Sequence, residues 1–290
     1  MENTSIAVLI TCYNRKQKTL ASLEALFNQV LPTNVNLWVY LVDDGSSDGT
    51  AADVNQYYPQ VKIIQGDGNL FWNGGMRVAF SEAIKHPHDY HLWLNDDTLI
   101  YPEALSNLLT TSHLLASQGN AAAIVTGATC DPETNTVSYG GVVKSTWWHP
   151  FKFRWLEPSQ KAIRCDTMHG NCVLIPKEIF QAIGNLDPDF KHYAGDFDYG
   201  LRARRKGYTV WLAPGYIGTC SGNPLYANWM DSNLPIRERW QKAEQPKNFT
   251  FQERKLFAQR HAGILWPIYW LLPYRKLLFS SFSKRGQVGT

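Results

Sequence analysis

Short apolar runs alternate with stretches of helical spacing in the first hundred residues. Residues 5–11 are apolar and rich in β-branched side chains, which predicts a buried strand. The apolar residues that follow have the spacing of a helix and are Leu20, Leu23, Leu26 and Phe27. Further strands are predicted at 37–42, 61–64 and 90–94, and a helix at 75–85. Because such strands and helices are joined by right-handed crossovers, the pattern predicts an α/β fold with a mostly parallel sheet.

The regularity falls after residue 95. Strands are predicted at 121–126, 136–143 and 172–175, and the next helix begins at Pro176. Residues 147–158 are aromatic and interrupted by proline, which predicts an irregular loop over a ligand site. Residues 196–206 have the pattern of a helix.

Composition places the chain among folded globular proteins. Of its 290 residues, 44% are hydrophobic and 18% are charged, which excludes a disordered or collagen-like chain. The net charge of +3 is too small to require a nucleic-acid partner, and we expect none. Residues 254–290 contain seven Lys or Arg and no Asp or Glu, so the positive charge belongs to the C-terminal tail.

The five cysteines form no C-x-x-C pair and leave an odd one over, which argues against a disulfide framework or a structural zinc site. We expect them to be reduced and mostly buried. The N-terminus lacks a basic stretch followed by a long apolar run, so a cytoplasmic location is expected.

The tail is apolar and aromatic over residues 263–282. Its uninterrupted apolar stretches are shorter than the ~20 residues that a spanning helix requires, because two prolines and two basic residues intervene. Trp and Tyr beside Lys and Arg favour an interfacial segment on an anionic membrane, peripheral at the inner face of the cell membrane. The alternative is a tail packed on the rest of the chain or on a second subunit.

Three of the predicted strands end in polar loops. The loops are Cys12-Tyr13-Asn14-Arg15, residues 43–50, and Asn95-Asp96-Asp97. Open parallel sheets bind ligands beyond the carboxyl ends of their strands, so these loops are expected to line one crevice. Asp and Gly also occupy turns for backbone reasons alone, but three such loops together make that explanation the weaker one.

The pair Asp96-Asp97 predicts a metal site. Adjacent carboxylates repel each other unless a cation neutralises them, and Mg²⁺ or Mn²⁺ bridging to a diphosphate would do so, since both ions prefer oxygen ligands. A helix cap is the alternative explanation for such a pair.

Four segments in this order resemble the family-2 inverting glycosyltransferases of the GT-A fold, including bacterial rhamnosyltransferase-like surface-glycan enzymes. They are Ile10-Thr11-Cys12-Tyr13-Asn14-Arg15, residues 42–50, Leu94-Asn95-Asp96-Asp97-Thr98, and residues 195–202. The resemblance covers about the first 220 residues, and four ordered motifs are far more specific than one. It implies a GT-A domain at 1–220, with a nucleotide-binding half at 1–97 and an acceptor half at 98–220. Residues 221–290 would form a helical extension.

The resemblance also implies roles for individual residues. Asp44, with Thr11 and Tyr13, would hold the base and ribose, and Asp44 would accept a hydrogen bond from a pyrimidine N–H, which favours a UDP- or dTDP-sugar. The other nucleotide-sugar contacts implied are Asn14, Arg15, Asn73, Gly74, Gly75 and Asp96. Asp97 would bind the metal directly. Asp196 would be the general base that deprotonates an acceptor hydroxyl.

This sequence departs from the family pattern at two places. Gly195 stands where the motif usually has Glu, and the stretch 216–220 lacks the His that many relatives place there, leaving Thr219 or Cys220. Metal coordination would then rest on Asp97, phosphates and water. Further candidate contacts to acceptor or phosphate are Trp72, Trp148, His169 and Asp198. Apolar packing is the alternative for the tryptophans, and a structural role for His169.

These features predict an inverting, metal-assisted glycosyltransferase acting on a glycan or lipid-linked acceptor in surface-polysaccharide synthesis. A nucleotidyltransferase acting on sugar phosphates is one alternative, although residues 11–18 lack the glycine that its phosphate-binding stretch would need. A non-catalytic sugar-binding module is the other, and it would not require Asp196.

Overall fold

The first half of the chain forms the predicted alternation in a computed structural model that describes residues 3–119, 122–222 and 234–275. Its strands are β1 (Thr4–Cys12), β2 (Val35–Asp43), β3 (Lys62–Gln65), β4 (Tyr90–Leu94) and β5 (Leu99–Ile100). Its helices are α1 (Lys16–Phe27), α2 (Thr50–Tyr57), α3 (Phe71–Ala83) and α4 (Ala104–Ser117). Strands β3, β2, β1 and β4 lie side by side in this order and run parallel, which confirms the predicted α/β fold.

The second half extends the same sheet and adds a small one. Its strands are β6 (Ala123–Cys130), β7 (Val137–Tyr139), β8 (Gly141–Lys144), β9 (Phe153–Trp155), β10 (Ile163–Cys165), β11 (Thr167–Met168), β12 (Cys172–Pro176) and β13 (Thr209–Thr219). Its helices are α5 (Lys177–Ile183) and α6 (Gly195–Arg205). β12 lies antiparallel between β4 and β6, while β8, β9 and β11 form the small sheet.

Both faces of the large sheet are buried. In β1, Ile6, Val8 and Ile10 pack into one hydrophobic core, and Ala7 and Leu9 pack into the other. The middle of the strand, Ile6–Ile10, is apolar at every position because helices cover both faces of a parallel sheet. The carboxyl ends of β1, β2 and β4 are therefore fixed at one edge of a rigid layer.

Two predictions about the second half were wrong in detail. The single strand predicted at 136–143 is split at Gly140, whose φ of 152° turns the chain from the large sheet into the small one. A Cβ at Gly140 would lie 3.2 Å from the Ala128 Cα, so the close approach also favours glycine. The irregular loop predicted at 147–158 contains β9, which pairs with β8.

The C-terminal region is helical, as predicted. It contains α7 (Ile236–Ala243), α8 (Phe251–His261) and α9 (Trp266–Leu271), and short 3₁₀ turns flank α9 at Gly263–Leu265 and Leu272–Tyr274. Phe257 of α8 packs on Phe190, Ala194 and Leu201. Within the described ranges, no helix combines the length and apolar character that crossing a bilayer requires. The rest of the basic tail, residues 276–290, lies outside the described residues.

Candidate active site

The loops that follow β1, β2 and β4 meet in one crevice, as predicted. The Asn14 N–H donates to Ser46 Oγ at 2.9 Å, and Asn14 Oδ1 accepts from the Ser47 N–H at 2.8 Å. Arg15 reaches across to Asp96 at 3.1 Å. Tyr13 directly precedes Asn14 and is 51% exposed, so its ring is available to a ligand.

Asp96 and Asp97 lie side by side under the guanidinium of Arg15. Arg15 Nη1 is 3.1 Å from Asp96 Oδ1 and 2.9 Å from Asp97 Oδ2, and Lys18 Nζ is 4.0 Å from the same Asp97 oxygen. Burial raises the pKa of Asp96 to about 7 against the opposing effect of Arg15, and the charge of Asp97 adds to the rise. Asp96 Oδ2 is buried and has no hydrogen-bond partner among the described residues. One oxygen of the pair is therefore left to accept a hydrogen bond or to bind a cation.

Cys220 ends the stretch 216–220, in which the family resemblance led us to expect a histidine. Its Sγ is 3.6 Å from Asp97 Oδ1 and 3.6 Å from Asn171 Nδ2. Burial, and then the charge of Asp97, raise the pKa of the Cys220 thiol to about 12. A thiol is in any case a softer ligand than the oxygen donors that Mg²⁺ and Mn²⁺ prefer.

The metal predicted at Asp97 can be tested against these donors. Among the described residues, no group of three or more His, Cys, Asp or Glu side chains could hold an ion. The carboxylates of Asp96 and Asp97, one of which has an oxygen without a hydrogen-bond partner, nevertheless suit a hard divalent ion that also binds oxygen atoms of a ligand. A cavity of about 250 Å³ beside Asp97, lined also by Lys18 and Thr219, has room for those ligands. The residues fit an ion that is shared with a diphosphate.

Asp44 holds the segment that leads into α3. Its Oδ1 accepts from the Gly68 N–H at 2.9 Å, and its Oδ2 accepts from the N–H groups of Leu70 and Phe71 at 3.0 Å each. A carboxylate at a helix N-terminus is favoured by the helix dipole, so Asp44, in the loop after β2, caps the N-terminus of α3. This explains why α3 begins at Phe71, four residues before the predicted start. The pyrimidine contact of Asp44 stays a prediction.

The residues at the start of α3 are packing positions. Asn73 is fully buried, and its Nδ2 donates to the carbonyl oxygens of Asp187 at 2.8 Å and Phe190 at 2.5 Å. A Cβ on Gly75 would lie 2.1 Å from Thr11 Oγ1, and one on Gly74 would lie 3.3 Å from Leu70 Cβ. Asn73 and Gly75 therefore have structural roles that set how closely α3 approaches β1, and the donor contacts predicted for them and for Gly74 stay predictions.

Asp196 stands at the start of α6 and is partly buried. The N–H groups of Gly170 and Phe197 donate to its Oδ2 and Oδ1 at 2.9 and 2.8 Å. Burial raises its pKa, although the neighbouring His169 opposes this rise. Burial disfavours the charged form of His169 as well, which for an imidazole lowers the pKa. The Nδ1 of His169 lies 3.1 Å from the Gly140 carbonyl oxygen. A fixed carboxylate with a raised pKa is suited to accept a proton near neutral pH.

Trp72 connects Asp196 to the carboxylate pair. Its Nε1 donates to Asn95 Oδ1 at 2.7 Å, next to Asp96 in the chain. Its other edge lies against Gly170, where a Cβ would be 2.4 Å from Trp72 Cζ2. Asn95 was not predicted as a site residue, and only its place in the strand-end motif could have indicated this role.

Asp198 lies away from the crevice. It is fully buried and accepts from Arg202 Nε and Arg260 Nη1 at 2.7 Å each, and its Oδ1 is 2.8 Å from His261 Nε2. The contact to acceptor or phosphate predicted for Asp198 is thus replaced by an internal ion cluster. The sequence did not indicate this cluster, because Arg260 and His261 come from the C-terminal region. Trp148 is 55% exposed and lies beside Tyr269 of α9.

The sheet order, the carboxylates at its edge and the base-like Asp196 define a class of sugar-transferring proteins. Residues 7–184 match the family described as "Glycosyl transferase family 2". The chain belongs to this family.

Two curated relatives are similar to the chain at low identity. One is the N-acetylglucosaminyl-diphospho-decaprenol L-rhamnosyltransferase of Mycobacterium tuberculosis, 22% identical over 63% of this chain and 66% of the relative. The other is an uncharacterized glycosyltransferase of Rickettsia typhi, 25% identical over 69% of this chain and 58% of the relative. In both cases the match spans less than two thirds of the relative's own length.

Solved structures share the fold. TarS of S. aureus superposes with a TM-score of 0.56 at 13% identity, covering 96% of this chain and 49% of that one. The mannosyltransferase PcManGT of Pyrobaculum calidifontis, solved with GDP-Man and Mn²⁺, gives 0.58 at 15% identity, covering 100% of this chain and 77% of that one. The predicted GT-A fold is confirmed.

Proposed function

We propose that this chain transfers a sugar, with inversion, from a UDP- or dTDP-sugar to a hydroxyl of a glycan or lipid-linked acceptor. The observation that carries the proposal is the link between Asp196 and the Asp96-Asp97 pair through Trp72 and Asn95. A base and a diphosphate-binding edge on the same crevice are what a direct displacement at a sugar requires.

The step needs no enzyme nucleophile. Asp196 accepts the proton of the acceptor hydroxyl while that oxygen forms a bond to the anomeric carbon, and the bond from this carbon to the diphosphate breaks. Two backbone N–H groups hold the Asp196 carboxylate in place, so its proton-accepting oxygen is oriented before the acceptor arrives. A single displacement inverts the anomeric centre.

Mg²⁺ or Mn²⁺ is the proposed cofactor, held by Asp97 with Asp96 beside it. When bound, the ion would neutralise the diphosphate and so stabilise it as a leaving group. Arg15 and Lys18 supply positive charge at the same edge from the protein itself. Asp44, Thr11 and Tyr13 remain the proposed contacts to base and ribose, and Asn14 is a further proposed contact to the nucleotide sugar.

The rhamnosyltransferase relative favours a deoxyhexose or hexose donor and a lipid-linked acceptor. Bacterial surface-glycan synthesis at the cytoplasmic face of the membrane would be the setting, with peripheral contact through the C-terminal region. The proposed organisation is a catalytic domain at 1–220, with nucleotide and acceptor halves meeting at 97, and an extension at 221–290.

Purified protein incubated with UDP- and dTDP-sugars, with Mn²⁺ or with EDTA, tests the proposal. Release of nucleoside diphosphate, and a product whose anomeric proton signal shows inversion in NMR, are the expected results. A nucleotidyltransferase would instead consume a sugar phosphate and nucleoside triphosphate and release pyrophosphate. A sugar-binding module would bind donor or glycan without turnover.

A further inference from the structure

Two segments far apart in sequence carry unusually exposed apolar side chains. Among the large hydrophobic residues of the described ranges, Trp147 is 95% exposed and Ile264 is 93% exposed, the two highest values. Trp148 is 55% exposed. Water-exposed side chains of this size are costly when they gather in one place, so their arrangement calls for a partner.

The two segments contact each other. Tyr269 Oη of α9 donates to the Trp148 carbonyl oxygen at 2.5 Å. The Tyr269 ring also lies 5.1 Å from the ring of His149 and 6.0 Å from that of Phe151. The segment that carries Trp147 and Trp148, which we call the tryptophan loop, therefore forms one continuous part of the surface with α9.

The exposed apolar side chains of α9 and the turn before it lie opposite the side that packs on the rest of the protein. Leu265, in the turn before α9, and Ile268 and Leu271 of α9 are spaced three residues apart, and Ile264 is four residues before Ile268, so these side chains lie on one side. Each of the four is at least 49% exposed. On the other side, the Trp270 ring packs 4.6 Å from that of Phe251. The exposed side is thus the outer face of a docked helix.

The charge around both segments has one sign. Residues 144–156 contain two Lys and one Arg with no Asp or Glu. Residues 254–275 contain one Lys and three Arg with no Asp or Glu, and of these only Arg260 is paired with the internal carboxylates Asp187 and Asp198 among the described residues. A surface that combines tryptophan, aliphatic side chains and basic residues without acidic ones is complementary to anionic lipid headgroups over acyl chains.

We propose that these side chains form a single docking surface for an anionic lipid bilayer. Its members are Trp147, Trp148, Ile264, Leu265, Ile268 and Leu271. The tryptophan loop is thereby a second membrane contact beside the C-terminal region, joined to it through Tyr269.

The docking surface also lies close to the acceptor side of the crevice. The chain runs from Trp148 through β9 to Trp155, whose ring is 5.9 Å from that of His169, next to Asp196. Seven residues span at most about 25 Å, so Trp155, beside His169, lies within that distance of Trp148 and of an acceptor held at the docking surface. This deepening rests on the proposed function and favours a lipid-linked over a freely diffusing acceptor.

Flotation of the full chain with liposomes tests the surface. Wild type should float with vesicles containing phosphatidylglycerol, far less with pure phosphatidylcholine, and less at high salt. The triple variant Trp147→Ser, Ile264→Ser, Ile268→Ser should lose at least tenfold in bound fraction. The control Trp38→Ser, at a residue 57% exposed on β2, should float like wild type.

Two outcomes would overturn the docking proposal. One is flotation of the triple variant at the wild-type level. The other is a wild-type dimer in light scattering that the triple variant loses, which would assign the surface to a second copy of the chain.

Nucleoside diphosphate release keeps this proposal distinct from the proposed function. The triple variant should retain wild-type release from the donor without lipid, because none of its three positions lies in the crevice. If neither the wild type nor the triple variant turns over a donor, but only the wild type floats with anionic vesicles, the transferase proposal fails and the docking surface stands.

Discussion

Arg260 of α8 donates to Asp198 of α6 at 2.7 Å, two residues after the proposed base. The second Nη of Arg260 donates to Asp187 at 2.8 Å, and Glu253 of the same helix accepts from the Lys191 N–H at 2.7 Å. α8 thus fixes both α6, whose first turn contains Asp196, and the loop before it. The C-terminal region beyond the proposed boundary at residue 220 therefore helps to position the proposed base of the catalytic domain.

Replacing Asp198 with Asn should destabilise the protein. Burial alone would raise the pKa of Asp198, but the hydrogen bond with His261 and the charges of Arg202 and Arg260 outweigh it and lower the pKa. Removing the charge leaves Arg202 without its carboxylate partner and Arg260 with Asp187 alone, and breaking a buried pair costs about 3–5 kcal/mol. Chemical denaturation at pH 7 measures the change in unfolding free energy.

The pH dependence of this loss gives the control. A carboxyl whose folded pKa lies below its unfolded pKa of about 3.9 stabilises the protein above that value, and the contribution fades as the pH falls through the folded pKa. The gap between wild type and Asp198→Asn should therefore be full at pH 7 and shrink below pH 4. A constant gap at both pH values would contradict the ion-cluster explanation.

Asp44→Asn should loosen the start of α3 as well as weaken nucleotide binding. An amide has one acceptor oxygen where the carboxylate serves three N–H groups, and a hydrogen bond to a charged group contributes about 1.5–3 kcal/mol. A lower melting temperature and faster hydrogen exchange at Leu70 and Phe71 are expected. Asp67→Asn is the matched control, since Asp67 is in the same segment but accepts only from its near neighbour Asn69. Unchanged exchange in Asp44→Asn would refute the capping role.

Much of the fold was predictable because the order of apolar and polar residues within short segments determines it. β4 was predicted with its observed bounds, and the two-sided burial of β1 follows from its unbroken apolar run. The meeting of three polar loops followed from the parallel order of the strands. In each case the deciding information lies within a few residues, or in a general rule about sheets.

The rest depends on partners distant in sequence. α3 begins early because Asp44 caps it from another strand, and Asp198 is internal because Arg260 and His261 reach it from α8. The split at Gly140 follows from its fit against Ala128. Neither residue spacing nor composition carries such contacts, so the residues matched to the family motif could be named without knowing which of them face the crevice.

UDP or dTDP should raise the melting temperature, and Mn²⁺ or Mg²⁺ should strengthen the effect. A ligand at 100 times its dissociation constant stabilises by about 2.7 kcal/mol, which thermal shift resolves. Asp97→Ala should retain some nucleotide stabilisation and lose its dependence on metal, as titration calorimetry with UDP would show. Equal metal dependence in both proteins would refute the role of Asp97, and preferential stabilisation by purine nucleotides would refute the choice of base.

Asp196→Asn should bind the donor nearly as wild type does and lose transfer. The proposed donor contacts are made at Thr11, Tyr13, Asp44 and Asp97, none of which involves the side chain at 196. Asn cannot accept the proton of the acceptor hydroxyl, and general-base catalysis contributes about 10²–10⁴-fold. The donor dissociation constant from calorimetry should therefore stay nearly constant, while kcat falls by about that factor.

The pH profile separates loss of the base from loss of structure. Because burial raises the pKa of Asp196, wild-type kcat/KM should rise with pH through a value above that of an ordinary aspartate and then level off. The residual activity of Asp196→Asn should lack this rise, whereas Asp198→Asn should keep it under conditions where the variant is folded. If Asp198→Asn lost the rise while Asp196→Asn kept both the rise and near wild-type transfer, the base would be Asp198, contrary to its burial under Arg260 and His261.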